Sequence, residues 1–198
     1  ITSLEKTFKY IRQYYPNHFL IADAKRGDIG NTSTMYARAF FQRLHAHAIT
    51  VAPYMGKDSV EPFLKFENKW AVILGLTSNS GASDFQQLKI NDKELYLRVI
   101  ETCAKWGTPD NTMFVVGATK ANMLNEIRKI IPQHFLLIPG VGTQGGDLDE
   151  VCKYGLNNDI GILVNVSRNI IYASTEKDFA EKAYDEAKEK KIQMEKYF

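Results

Sequence analysis

The sequence predicts an α/β fold built on a parallel sheet, and three observations carry that reading. Short apolar runs rich in β-branched residues recur along the chain, a cluster of Gly, Asp, Ser or Asn follows each run, and an amphipathic stretch then follows the cluster. Strands that alternate with helices are joined by crossovers, and crossovers give a parallel sheet covered by helices.

Residues 3–14 carry a helical pattern, and the first strand is expected over 18–22, where an apolar run meets a charged segment. A helix over 32–44 leads to a second strand over 48–51, and a shorter helix over 60–65 leads to a third strand over 70–76. The same alternation continues with a helix over 93–105, a strand over 113–116, a helix over 120–130 and a strand over 135–138. A helix over 148–153, a strand over 160–164 and a long helix over 178–195 complete the chain. No linker-like Pro/Gly/Ser run or repeat interrupts these elements, so one domain over 1–198 is expected. Periodicity does not separate an open doubly wound sheet from a closed barrel. Six strands against the eight of a closed (β/α)8 barrel favour an open sheet or a fragment. The start at Ile1, without methionine and inside a helical pattern, leads us to expect further sequence ahead of it.

With 198 residues, 44% hydrophobic and 24% charged, the chain has ordinary globular usage. A net charge of +2 from 25 basic and 23 acidic residues offers no polycation face for nucleic acid, though a local anion site is compatible with it. The aromatic residues are not interleaved with basic ones, which also speaks against nucleic-acid stacking. Cys103 and Cys152 lie far apart without metal-ligand spacing and read as reduced thiols, and His18, His45, His47 and His134 have no neighbouring ligand pattern. No run approaches the roughly 20 apolar residues that cross a bilayer, and no signal pattern opens the chain, so a cytoplasmic protein is expected.

Three segments carry chemistry. In Leu20 to Thr32, the alternation of a strand puts Asp23 and Lys25 on one face, Gly27 permits a sharp exit, and Asp28 follows at the turn toward the helix. Carboxylates flanking an amine keep it charged and placed, and a placed ammonium can deliver a proton to a forming carbanion. A strand-end salt bridge is the plainer reading of the same residues. Arg26-Gly27-Asp28 also spells an adhesion tripeptide, which arises by chance in many proteins. In the second segment, Pro139 to Asp147, glycines after a strand let backbone N–H groups approach an anion. Gly140, Gly142 and Gly145 also satisfy GxGxxG, with Asp159 as a candidate ribose acid, but that fingerprint opens a βαβ unit and only one strand follows here. The third segment places Arg168 just past the last strand, where its planar fork suits a phosphate. A glycine loop after the penultimate strand and a cation after the last is the arrangement of the phosphate site of a (β/α)8 barrel, which moves the choice back toward a barrel.

Together these segments resemble the orotidine 5'-monophosphate decarboxylase family over essentially the whole chain. The run Asp23-Ala24-Lys25-Arg26-Gly27-Asp28-Ile29-Gly30-Asn31-Thr32 matches the family signature in every fixed position. Val51 to Ser59 and Leu74 to Ser80 look like the ends of the family's fourth and fifth strands, especially in its longer bacterial branch, and Pro139 to Gly146 with Ser167-Arg168 look like its phosphate gripper. The resemblance implies a (β/α)8 TIM barrel of which this chain supplies strands 3 to 8. It also implies conversion of orotidine 5'-monophosphate to UMP in pyrimidine nucleotide biosynthesis, with no metal and no organic cofactor. In that scheme Asp23 presses on the substrate carboxylate, Lys25 protonates C6, and Asp28, with Ile29 and Thr32, reaches the site of the partner in a homodimer. Ser78 contacts the pyrimidine edge, Pro139 and Val141 wall the ring, and Gln144 and Arg168 hold the 5'-phosphate. The family also uses an aspartate after its first strand and a lysine after its second. Neither strand is in this sequence, so the chain by itself is expected to be inactive. The rivals are a decarboxylase or aldolase of the same phosphate-binding barrel superfamily, and a non-catalytic nucleotide-phosphate-binding scaffold.

Overall fold

The computed structural model describes residues 2–142 and 145–198. In chain order the elements are α1 (Thr2–Tyr14), β1 (Ile21–Arg26), α2 (Gly30–Arg38), β2 (Ala48–Val51), α3 (Lys57–Leu64), β3 (Trp70–Leu76), α4 (Ala82–Phe85), β4 (Lys89–Ile90) and β5 (Lys93–Glu94). They continue with α5 (Leu95–Ala104), β6 (Thr112–Val116), α6 (Leu124–Ile130), β7 (Leu136–Pro139), α7 (Leu148–Gly155), β8 (Ile162–Asn165), α8 (Arg168–Ile171) and α9 (Phe179–Met194). This is an α/β fold with parallel strands, and the chain divides into two compact units.

The first unit runs to Leu74 and includes Glu101–Phe114. Here β1 pairs parallel with β2, and β2 with β3, from Ala48↔Trp70 to Val51↔Ile73. All four residues of β2 are buried, as a parallel strand covered on both faces requires. The start of β6 joins through Ala71, whose N–H donates to the Asn111 carbonyl at 2.9 Å. Phe41, Val60 and Phe63 are fully or almost fully buried where α3 packs on α2, and the Phe41 and Phe63 rings meet edge-on at 6.4 Å. Each such side chain contributes about 1.5–3 kcal/mol of burial. After α2 one π turn, Ala39–Arg43, continues the helix until His45, at φ +56°, turns the chain toward β2. The amphipathic α1 buries Phe8 and places Glu5 and Arg12 at the ends its dipole favours.

The second unit comprises Gly75–Ile100 and Val115–Phe198. The Gly117 N–H donates to the Leu76 carbonyl at 2.8 Å at the ends of β3 and β6, and β7 pairs parallel with β8 from Leu136↔Ile162 to Pro139↔Asn165. Between α4 and α5 lies a small antiparallel hairpin, β4 and β5, turned by Asn91 and Asp92 at φ +49° and +62°. Arg128 of α6 is the polar node of this unit. Its guanidinium donates to the carbonyls of Gly155 (2.7 Å), His134 (2.6 Å), Gly161 (2.8 Å) and Ile131 (3.3 Å). Burial lowers its pKa to about 10, so it stays charged at neutral pH. The last helix is fastened to α7, where the Asp149 carboxylate accepts from Gln193 Nε2 at 3.0 Å and from the Tyr197 hydroxyl at 2.7 Å.

All six expected strands are present, with two shifts. The first begins at Ile21 and continues to Arg26, because its end carries polar side chains that an apolar count stops short of. The last begins at Ile162, because Ile160 and Gly161 have φ of +69° and +66° and form a turn. The helix expected over 60–65 starts at Lys57, and α4, β4, β5 and α8 are additional to the expected elements. Among the described residues no helix is long and apolar enough to cross a membrane.

Candidate active site

The charged constellation of the first unit sits where β1 leaves the regular ladder. Ala22 faces Ile49 and Arg26 faces Val51, so β1 uses four residue steps where β2 uses two. This bulge holds Lys25 at φ +45°, a left-handed conformation that a non-glycine residue adopts only when its surroundings enforce it. Asp23 and Lys25 do come together, with Nζ at 2.6 Å from both carboxylate oxygens, but the bulge and not simple alternation brings them there. Both side chains are more than half exposed, so the pair by itself adds little to stability and is accessible to a ligand.

A third group completes the contact. Thr50 of β2 is fully buried, and its hydroxyl accepts the Lys25 backbone N–H at 2.8 Å while donating to Asp23 Oδ1 at 3.0 Å. In the sequence Thr50 is one more β-branched residue of an apolar run, and no local spacing links it to Asp23. Asp28 stands apart: its Oδ1 accepts the Ile29 N–H at 2.8 Å, and among the described residues Lys25 pairs with Asp23 and not with Asp28. The structure therefore joins two members of the expected acid-base-acid cluster. Ile29 and Thr32 are exposed at the start of α2. The helix is seated by Ser33, whose hydroxyl contacts the Asp28 and Ser59 carbonyls at 3.0 and 2.7 Å. Arg26 lies against the Tyr36 and Phe40 rings at 5.1 and 5.6 Å.

The second unit holds the remaining expected residues. Ser78, half-buried, follows β3 next to Thr77. Thr77 is clamped by Gln86: its N–H donates to Oε1 and its hydroxyl accepts from Nε2, both at 2.8 Å. Against Ser78 lies Gly117, where a Cβ would come within 2.8 Å of the serine N, Cα and Cβ. The loop after β7 is closed by its own backbone: Gly142 N–H donates to Gly146 O at 3.0 Å and Gly146 N–H to Gly140 O at 3.1 Å. Gly140, Gly142 and Gly145 have φ of +97°, +82° and +84°, which accounts for glycine at each. Pro139 is half-buried and Val141 buried at the root of this loop. Gln144 lies outside the described residues.

Arg168, exposed, opens α8, and its neighbour Asn169 packs on Gly142, where a Cβ would meet the asparagine oxygen at 2.9 Å. The glycine loop and the Arg168 segment thus share one end of the unit, as an anion site requires. A dinucleotide arrangement fits poorly. The first N–H groups of α7, on Asp149 and Glu150, are capped at 2.8 and 3.1 Å by Asp147, and its first turn is acidic, so a pyrophosphate would meet carboxylates there. Asp159 belongs to the Asn157–Gly161 turn, its N–H donating to Asn157 Oδ1 at 3.0 Å.

Comparison with known proteins gives a consistent set of likenesses. A family model described as "Orotidine 5'-phosphate decarboxylase / HUMPS family" matches residues 2–183. The orotidine 5'-phosphate decarboxylase of Flavobacterium johnsoniae is 62% identical over 193 residues, covering 98% of this chain and 70% of the relative. Among solved structures, that of Leishmania donovani OMP decarboxylase is similar with a TM-score of 0.83 at 34% identity, covering 96% of this chain and 73% of that one. Leishmania donovani UMP synthase gives a TM-score of 0.84 at 37% identity, and there the match spans 42% of the longer protein.

Proposed function

The chain belongs to the orotidine 5'-phosphate decarboxylase / HUMPS family, and on that premise we propose that, joined to the family's first two strands, it catalyses decarboxylation of orotidine 5'-monophosphate to UMP. The observation that carries the reading is the Asp23–Lys25 pair, held on a bulged strand end and open to a ligand.

In this scheme the substrate carboxylate is pressed against Asp23. The bond from C6 to the carboxyl carbon breaks, its electron pair stays on C6, carbon dioxide departs, and the Lys25 ammonium gives C6 a proton. The neutral amine then recovers a proton from solvent. A vinyl carbanion has no conjugated sink, so the barrier is lowered by fixed charges around it, and the scheme needs neither a metal nor an organic cofactor. The remote phosphate, held by the glycine loop with Gln144 and Arg168, supplies binding energy that is spent at the carboxylate. Ser78 reads the pyrimidine edge, and Pro139 and Val141 wall the ring.

The six sheet strands are taken as the third to eighth of a (β/α)8 TIM barrel, supported by relatives of which this chain spans about 70%. Exposed Ile29, Thr32 and Met35 along the start of α2 suit a homodimer in which Asp28 reaches the partner's site. A cytoplasmic location suits a biosynthetic enzyme acting on a free nucleotide. The test is the ultraviolet absorbance of orotidine 5'-monophosphate with the intact protein and with Lys25→Ala. Turnover should fall at least about 1,000-fold in the variant while UMP still binds. A Lys25→Ala protein that decarboxylates at the parent rate refutes the assignment.

A further inference from the structure

We infer that Thr50 is the positioning residue that keeps Asp23 and Lys25 in register for proton delivery, a role that rests on the decarboxylase reading above. The direction of its hydroxyl follows from its partners. It accepts the Lys25 backbone N–H at 2.8 Å, and an ionised carboxylate can only accept, so the threonine proton points to Asp23 Oδ1 at 3.0 Å. One buried, β-branched and therefore stiff side chain grips the bulge at two points, the backbone of one residue and the carboxylate of the other.

Both groups need the grip. Lys25 sits at φ +45°, a conformation that costs free energy for any residue with a Cβ, and the bond from its N–H to Thr50 offsets part of that cost. The Asp23 carboxylate is 59% exposed, and among the described residues its other contacts are both to Lys25 Nζ at 2.6 Å. Those contacts weaken when the ammonium turns to a carbon atom. The Thr50 contact does not depend on where the lysine points, so it keeps the negative charge in place while the lysine moves. A threonine serving only to fill the interior of β2 would be replaceable by valine without effect on the pair.

The intact protein is compared with Thr50→Val, which removes both bonds at nearly constant volume, and with Thr50→Ser, which keeps them. For orotidine 5'-monophosphate, kcat should fall about 30-fold in the valine variant with KM within about threefold, and serine should restore kcat to within about threefold. Heteronuclear NMR of the Lys25 backbone amide gives a readout independent of turnover. Its hydrogen-bonded shift and exchange protection should be lost with valine and kept with serine. Parent kcat in Thr50→Val, equal damage in Thr50→Ser, or a raised KM at constant kcat overturns the inference. Should the valine protein not fold, Thr50→Cys carries the test: a partial loss of kcat supports the role, and parent kcat overturns it. If the parent protein shows no turnover, the decarboxylase reading fails on its own account. An unchanged Lys25 amide in the valine variant then overturns the Thr50 contact separately.

Discussion

Gly117→Ala tests how tightly the end of β6 is fitted to Ser78. Gly117 has φ −66° and ψ 135°, which any residue adopts, so the substitution asks only about space. The new methyl would lie 2.8 Å from Ser78 N, Cα and Cβ, whereas ordinary contacts begin at 3.4 Å. These atoms are backbone and Cβ, which cannot rotate aside, so the serine segment must retreat by about 0.6 Å against the Gln86 clamp on Thr77. Overpacking of this kind costs about 1–3 kcal/mol, which for a chain of this size lowers Tm by about 3–10 °C. If Ser78 reads the pyrimidine edge as proposed, its displacement should lower kcat/KM by about tenfold or more, since misplacement near 1 Å costs about 100-fold. Gly81→Ala serves as the control in the same loop. Its added methyl meets only the side-chain ends of Asn79 and Asp84, at 3.2 and 3.6 Å, and its φ is −64°. That variant should stay within about 0.5 kcal/mol of the parent with unchanged activity. An alanine at 117 with parent Tm and parent kcat/KM would refute the steric argument.

Two further outcomes follow from buried polar groups. Arg128→Met strands the carbonyls of Gly155, His134 and Ile131, while the Gly161 carbonyl keeps the Leu136 N–H, and should cost about 3–5 kcal/mol in urea unfolding, with Arg128→Lys recovering little because one ammonium cannot reach the same set; a loss below about 1 kcal/mol counts against the node. His134 is held below its ordinary pKa of 6.5 by burial and then by the Arg128 guanidinium. His47 is likewise lowered, by burial and then by Lys69 and Arg12, and its Nδ1 accepts the Leu20 N–H, which requires the unprotonated ring. The folded state prefers both rings neutral, so the unfolded chain binds more protons below 6.5. Their contribution is present above that pH and is lost as pH falls toward the folded values. Tm should drop between about pH 7 and pH 5.5, less so in His134→Gln, and a flat profile in the parent would exclude the linkage.

Much of the fold was legible because a parallel strand buried on both faces reads as an unbroken apolar run, as in β2 and β3. What escaped notice was short or stereochemically special. The one-turn helices α4 and α8 and the two-residue strands β4 and β5 are shorter than the period by which such elements are recognised. The turn at Ile160 hides in an apolar sequence because only its positive φ marks it. At the site, Asp23 and Lys25 were visible from their spacing, and the glycine loop from its composition. Thr50, Gln86 and Gly117 were not. Thr50 and Gly117 act on residues distant in sequence that sheet register brings alongside, and Gln86 reaches back to Thr77 from the end of α4; a single sequence displays neither kind of pairing.

The four-against-two step at β1 and β2 also bears on how such a site changes over time. Positions 23 to 25 lie off the regular pleat, while the alternation that builds the interior stops at Ala22 and is taken up again by the pairing of Arg26 with Val51. Side chains within the bulge can therefore be exchanged without turning a buried position outward. The same scaffold can be refitted with a different set of charges at its strand end while its interior goes on being selected for packing alone.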